Sequence, residues 1–373
     1  MNLRVLASPI PFLLASTAWA EQRFPPPDFE GGYQLPLTST PLPRAEWLQT
    51  LDVAVLLGAL GLALWLVYRR RSRAGVAALS LFSLAYFGFY RKGCVCVIGS
   101  VQNVALALAD PHYALPLSVL VFFLAPLLVA LFAGRVFCGA VCPQGALQDW
   151  MLLKPLKVPG WLEAGLGLIP PLFLGAGVIS AATGGGFWIC RYDPLVPFFR
   201  FSGSAWMLGA GVAFLLVGMF VGRPYCRFLC PYGALLRYVS AASKNRVRVT
   251  PAACTRCALC REACPFGALR EPQEEQPISR PLARRRLALM IGLLPVWVGV
   301  GAWAGMRLGA AAGWFGAWAG LVIGGKLVAL AMRRTHTDFE PERGACFACA
   351  RCFEACPEER LRRGVQPEEA PKA

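Results

Sequence analysis

The sequence predicts an all-α polytopic membrane protein with about seven transmembrane helices, and three observations predict it. Only 16% of the residues are charged while 56% are hydrophobic, with a mean hydropathy of +0.51. A soluble chain of this size carries about a quarter charged residues. Apolar stretches recur at the length a helix needs to cross a hydrocarbon core about 30 Å thick. They fall at 50–68, 74–90, 114–133, 161–182, 204–222, 287–306 and 308–330. Finally, most of the 37 lysines and arginines collect in alternate connections: 69–73, 134–160, 223–286 and the tail from Lys326. The positive-inside bias then puts those segments in the cytoplasm and the start of the mature chain outside. Arg91, Lys92, Arg191 and Arg200 are the main exceptions. The net charge of +16 follows from this asymmetry, with attraction to anionic lipid heads, and implies no nucleic-acid partner.

Residues 1–20 hold one arginine, an apolar stretch and Ala18-Trp19-Ala20 before Glu21. That is the pattern of a secretory signal peptide, or of an uncleaved anchor. Residues 21–49 are Pro-rich and lack periodicity, which suits an outer linker. Residues 50–243 form a five-helix membrane domain, with Trp47, Trp161, Trp188 and Trp206 near helix ends as interface anchors. The segment 284–334 is a transmembrane hairpin. In it Gly301, Gly305 and Gly309, then Gly316, Gly320 and Gly324, recur every four residues, so the hairpin packs on itself. Lys326 stands near a helix end, where its stem can snorkel to the interface.

The chain has 15 cysteines and 2 histidines. His112 and His336 fall on opposite predicted faces and no C-x-x-C-H is present, so no haem is expected. Eight cysteines stand in two identical rhythms, "CTRCALCREACP" at 254–265 and "CFACARCFEACP" at 346–357. Each is C-x2-C-x2-C-x3-C-P, the run of bacterial ferredoxins that carry two [4Fe–4S] clusters. Three closely spaced thiolates wrap one cubane, and the fourth ligates the other cluster. The expected sets are Cys254, Cys257, Cys260 with Cys356, and Cys346, Cys349, Cys352 with Cys264. Zinc sites favour separated cysteine pairs, and disulfides do not persist in a reducing cytoplasm. The ferredoxin-like module is therefore cytoplasmic and split by the hairpin. Its first half is 244–283, with a short strand at 245–250, its second half is 335–360, and 361–373 is a tail.

Two further motifs, "RVFCGAVCPQGALQD" and "RPYCRFLCPYGALLR", form an internal repeat, C-x3-C-P-x-G-A-L, each after an apolar helix and an arginine. Their thiols, Cys138, Cys142, Cys226 and Cys230, suit a third Fe–S cluster, a redox-active thiol set, a copper(I) site or a structural role. "RKGCVCVIGSVQN" carries Cys94 and Cys96 on the outer side with Cys190. Those three suit a degenerate repeat with one disulfide, or a relay position near the outer surface. Asp193 and Arg191 beside Cys190 read as an interfacial loop pair.

Together these motifs resemble the polyferredoxin-type membrane iron–sulfur proteins with C-x3-C-P repeats, over about residues 50 to 360. That family includes nitrous-oxide-reductase accessory proteins of the NosR type and the NapH-type membrane subunit of periplasmic nitrate reductase. "GCVCVIGSVQN" is similar to the branch containing the nitrous-oxide accessory proteins. The resemblance implies an integral membrane electron-transfer protein linking the quinone pool or a cytoplasmic donor to an exported redox enzyme, as a component of a quinol dehydrogenase. Larger accessory proteins add an outer flavin-binding domain. Here only about thirty residues stand in that place, so the expectation is that a separate outer flavoprotein, quinone or the C-x3-C-P site completes the path across the bilayer. The alternative from another class is a copper-related maturation factor for an exported oxidase or reductase.

Overall fold

The computed structural model describes residues 45–93, 97–245, 247–249, 254–269, 280–331 and 339–364. The expected signal peptide, most of the linker, Cys94, Cys96, His336 and most of the tail lie outside them. Among the described residues the chain is helical, with a single isolated antiparallel bridge, Leu269 to Pro341, between the two ferredoxin-like halves. The expected strand at 245–250 is not formed by the residues described there.

The first helix, α1 (Glu46–Leu64), runs on through a π-helical turn at Trp65–Arg70. The next, α2 (Arg73–Ser83), begins where the Ser72 hydroxyl accepts the Gly75 N–H, and continues through Leu84–Tyr90. Then come α3 (Val97–Ala109) and α4 (Leu117–Ala133). A π-helical turn, Phe137–Val141, leads into α5 (Pro143–Met151). A span broken at Gly167 follows as α6 (Gly160–Leu166) and α7 (Ile169–Ala182). Two short helices, α8 (Trp188–Tyr192) and α9 (Val196–Arg200), precede α10 (Ala205–Gly218). The second motif occupies α11 (Pro224–Phe228) and α12 (Pro231–Ala241). The first ferredoxin-like loop ends in α13 (Leu259–Glu262). The hairpin is α14 (Arg280–Met306) and α15 (Ala310–Ala331), and the second loop ends in α16 (Arg351–Ala355) and α17 (Pro357–Arg362).

Five segments are long and apolar enough to cross a membrane: Glu46–Arg70, Arg73–Tyr90, Gly160–Ala182, Leu287–Met306 and Ala310–Ala329. The other two expected spans are shorter apolar helices, α4 with 17 residues and α10 with 14. The first stops at Ala133, directly before the Gly134-Arg135 pair that opens a C-x3-C-P motif, and the second at Gly218, four residues before Gly222-Arg223. A third short apolar helix, α3, lies where the sequence suggested only an outer connection.

The hairpin packs on itself as its glycine spacing implies. A Cβ on Gly301 would overlap the Gly316 carbonyl oxygen, one on Gly305 the Ala312 oxygen, and one on Gly320 the Trp297 oxygen. Small residues thus let the two backbones touch. The hairpin joins the rest of the unit through Trp318, whose indole N–H donates to the Pro171 carbonyl at 2.7 Å. At one end of the helices, Arg91 pairs with Asp52 at 2.7 Å and Tyr86 donates to the same carboxylate at 2.9 Å. At the other, Arg71 meets Glu359 at 2.7 Å. There too Asp149 gathers Arg73 at 2.5 Å, Arg351 at 3.2 Å and Arg223 at 3.5 Å. Every segment that the basic bias assigns to the inner side contributes to that second cluster.

Candidate functional site

A cysteine followed by proline opens a helix at three of its four occurrences, whereas Cys264-Pro265 leads into a turn. Proline has a preset φ and no N–H to lose, so it starts a helix and makes the cysteine its N-cap. Cys142, Cys230 and Cys356 are each an extended N-cap with Pro143, Pro231 or Pro357 at the first helical turn. The Cys230 sulfur accepts the Gly233 N–H at 3.2 Å, and Gly145 does the same for Cys142. A thiolate there faces unsatisfied N–H groups and the positive end of the helix dipole.

The glycine of C-P-x-G is required by a second contact. A Cβ on Gly145 would stand 2.8 Å from the Cys138 carbonyl oxygen and 3.3 Å from Arg223. A Cβ on Gly233 would stand 3.0 Å from the Cys226 carbonyl and 3.3 Å from Arg135. The two repeats therefore exchange arginines: each motif's guanidinium reaches the glycine of the other. Arg223, fully buried, donates to the carbonyls of Cys138 and Gly139. Arg135 donates to the Gly344 carbonyl at 3.3 Å and lies 3.9 Å from the Cys138 sulfur. Gln148 completes the setting, donating to the Cys226 sulfur at 3.4 Å and accepting the Tyr225 N–H at 3.0 Å.

This arrangement gathers Cys138, Cys142, Cys226 and Cys230 around one cavity of about 40 Å³. Its opposite wall is built by Val97, Ile98, Val196 and Phe199, from segments the sequence places on the outer side. Burial pushes the Cys226 thiol up to about 11 against the pull of Arg223. Burial, then the neighbouring thiols, raises Cys142 and Cys230 well above the ordinary range. Asp193 also departs from expectation. Only 2% exposed, it is no interfacial loop residue; it accepts from Gln144 at 3.0 Å and from the Tyr225 hydroxyl at 2.8 Å. It therefore fastens the α8–α9 connection to both motifs.

The ferredoxin-like runs fold as two copies of one loop. Arg256 and Ala258 in the first, Ala348 and Ala350 in the second, all take positive φ between 53° and 64°. These residues flank the middle cysteine and turn all three thiols of the run inward. Cys254, Cys257 and Cys260 share a cavity of about 210 Å³ with Cys356. Cys346, Cys349 and Cys352 share one of about 20 Å³ with Cys264. Cys254 and Cys257 are exposed, whereas the second set is more enclosed, and burial pushes Cys346 up to about 12.

The three quartets adjoin. Cys260 is close enough to influence Cys352, linking the two ferredoxin-like sets. The Phe347 ring lies 4.0 Å from the Arg135 guanidinium, 5.4 Å from that of Arg223, and 4.6 Å from the Phe266 ring. A Cβ on Gly139 would overlap the Phe347 carbonyl oxygen. Arg223 is influenced by Cys226 and Cys138 of one quartet and Cys349 of another. Of the remaining cysteines, Cys190 is exposed on α8.

Four thiols around a cavity suit a cubane, whose irons each take one thiolate at separate corners. Among the described residues, no group of three or more His, Cys, Asp or Glu side chains is placed to hold a single metal ion. Sequence reasoning passed over Asp149 and Gln148 and misread Asp193. The one local signal was the arginine preceding each C-x3-C-P motif.

A 4Fe-4S binding domain matches residues 115–160 and 203–250, and a 4Fe-4S dicluster domain matches 253–361. The regulatory protein NosR of Pseudomonas aeruginosa is 28% identical over 66% of this chain and 38% of its own length. The ferredoxin-type protein NapH of Haemophilus influenzae is 28% identical over 56% of this chain and 77% of its own. Protein NirI of Paracoccus denitrificans is 31% identical over 62% of this chain and 38% of its own. The chain thus spans less than two fifths of the length of NosR and NirI. No solved structure matches it.

Proposed function

Because this chain belongs to the polyferredoxin-type membrane iron–sulfur proteins, we propose that it conducts electrons through three thiol-lined stations set in series across the inner membrane. The observation that carries this reading is the contiguity of the three quartets: each has four cysteines, and the loop bearing Cys346 rests on Gly139 of the C-x3-C-P turn.

A [4Fe–4S] cluster, when bound, supplies one-electron chemistry at a potential set by burial, charge and hydrogen bonds. Cys254, Cys257, Cys260 and Cys356 would hold one at the exposed edge, and Cys346, Cys349, Cys352 and Cys264 a second beneath it. Cys138, Cys142, Cys226 and Cys230 would hold the third, between the ferredoxin-like side and the wall made by Val97 and Phe199. Arg135 and Arg223 offset the thiolate charge there and spare it a bare low-dielectric setting. The exposed first quartet meets a cytoplasmic donor, and the 188–200 side faces an exported redox enzyme of the denitrification or nitrate-reduction type. Quinone enters or leaves the chain between those ends.

Anaerobic purification with iron and sulfide counts and electron paramagnetic resonance tests the reading. About twelve irons per chain are expected. About eight irons, with copper bound stoichiometrically and lost in Cys138→Ser and Cys226→Ser, would replace the third cluster by a copper-handling role.

A further inference from the structure

A cavity of about 430 Å³ opens between α7, α12, α15 and the chain from Glu340 to Phe347. It lies where the spans Gly160–Ala182 and Ala310–Ala329 approach the ferredoxin-like side. Pro170, Pro171 and Val322 give it an apolar wall, and Arg227, Arg237, Lys326 and Arg343 a basic one. Some of that charge is already engaged: Arg227 pairs with Glu163 at 2.8 Å, and Arg343 donates to the Ser243 carbonyl at 2.9 Å. Glu340 and Glu342 also line the cavity. The half-buried Arg237 guanidinium, by contrast, has no ion-pair or hydrogen-bond partner among the described residues.

We propose that this cavity binds the phosphate headgroup of an anionic phospholipid, with its acyl chains along Pro170, Pro171 and Val322. A planar guanidinium that lacks a partner, beside a lysine at a helix end, matches a phosphate diester in charge and geometry. A zwitterionic headgroup carries the same phosphate but balances it with its own ammonium, so the net charge of Arg237 would go unanswered. The same cavity reaches Cys226 and Phe347, so the lipid would brace the contact between the C-x3-C-P site and the second ferredoxin-like loop. The binding stands apart from the electron-transfer reading, since it does not require any cluster to exchange electrons.

Native mass spectrometry of the full chain, extracted in mild detergent and exchanged against phosphatidylglycerol, phosphatidylcholine or inorganic phosphate, tests the proposal. Phosphatidylglycerol is expected to be retained selectively, one per chain. Arg237→Gln should weaken retention about fivefold and Lys326→Gln by a similar factor, while Arg237→Lys keeps most of it. The visible absorption of the clusters should be unchanged in all three variants, which reports an intact fold. Equal retention of phosphatidylcholine, retention insensitive to Arg237→Gln, binding of inorganic phosphate alone, or recovery of a quinone in its place would each overturn the proposal.

Discussion

The C-x3-C-P quartet and the first ferredoxin-like quartet each gather four thiols, in opposite settings. Around Cys254 and Cys257 the thiols are exposed, the cavity is about 210 Å³, and the ligand loop is a local rhythm closed by one distant residue, Cys356. Around Cys138 and Cys226 the cavity is about 40 Å³, the thiols are mostly buried, and two distant motifs exchange arginines to build it. The difference teaches that a thiol site at a surface can be specified by spacing alone. A buried site also needs countercharge, and here that charge is wired into the fold through Asp149.

Removing a ligand breaks the comparison most directly. Cys226→Ser should lower the iron content by about a third and leave the resonance of the ferredoxin-like clusters in place. Loss of all iron would mean that the quartets do not assemble separately. Cys356→Ala should alter the spectrum of the cluster bound by Cys254, Cys257 and Cys260. An effect confined to the cluster of Cys346 would reverse the crosswise pairing.

Asp149→Asn is next in size. Burial would push this carboxyl up, yet Arg223, then Arg73 and Arg351, hold it well below the ordinary carboxylate range. A depressed folded-state value means its contribution is complete above the unfolded value, near 3.9, and fades as pH falls below it. At neutral pH the variant should lose about 3–5 kcal/mol, read from thermal unfolding in detergent. An unchanged midpoint would show that the three arginines find other partners.

Gly139→Ala should cost about 1–3 kcal/mol, because the added methyl would press on the Phe347 carbonyl. Thr255→Ala, at the exposed quartet, should stay within about 0.5 kcal/mol. Equal costs would erase the contrast between the two sites. The smallest effect is electrostatic. Arg256 lies in the exposed loop, where its charge favours a reduced cluster, so Arg256→Glu should lower that cluster's potential in a redox titration.

Much of this was legible in the chain. Hydropathy gave the long apolar helices, with α4 shorter than expected because it starts only after Pro116, and α10 because it ends at Gly218. The glycine ladder of α14 and α15 announced its close packing. Cysteine rhythm exposed the ferredoxin-like loops and the repeat. Asp193 was misread, because next to Cys190 it looks like any loop acid, and its partners Gln144 and Tyr225 are 49 and 32 residues away. The apolar α3, and its place against the thiol cavity, were not anticipated.

By itself, then, the sequence determined what depends on neighbours along the chain: apolar length, C-P as a helix-starting cap, and three thiols turned inward by one loop. Only the tertiary structure decided that Arg135 and Arg223 change places between repeats, and that Asp149 ties three segments together. Those contacts join residues tens to hundreds of positions apart. They exist because a buried charge or thiol must find its counterpart wherever the packed helices bring one near.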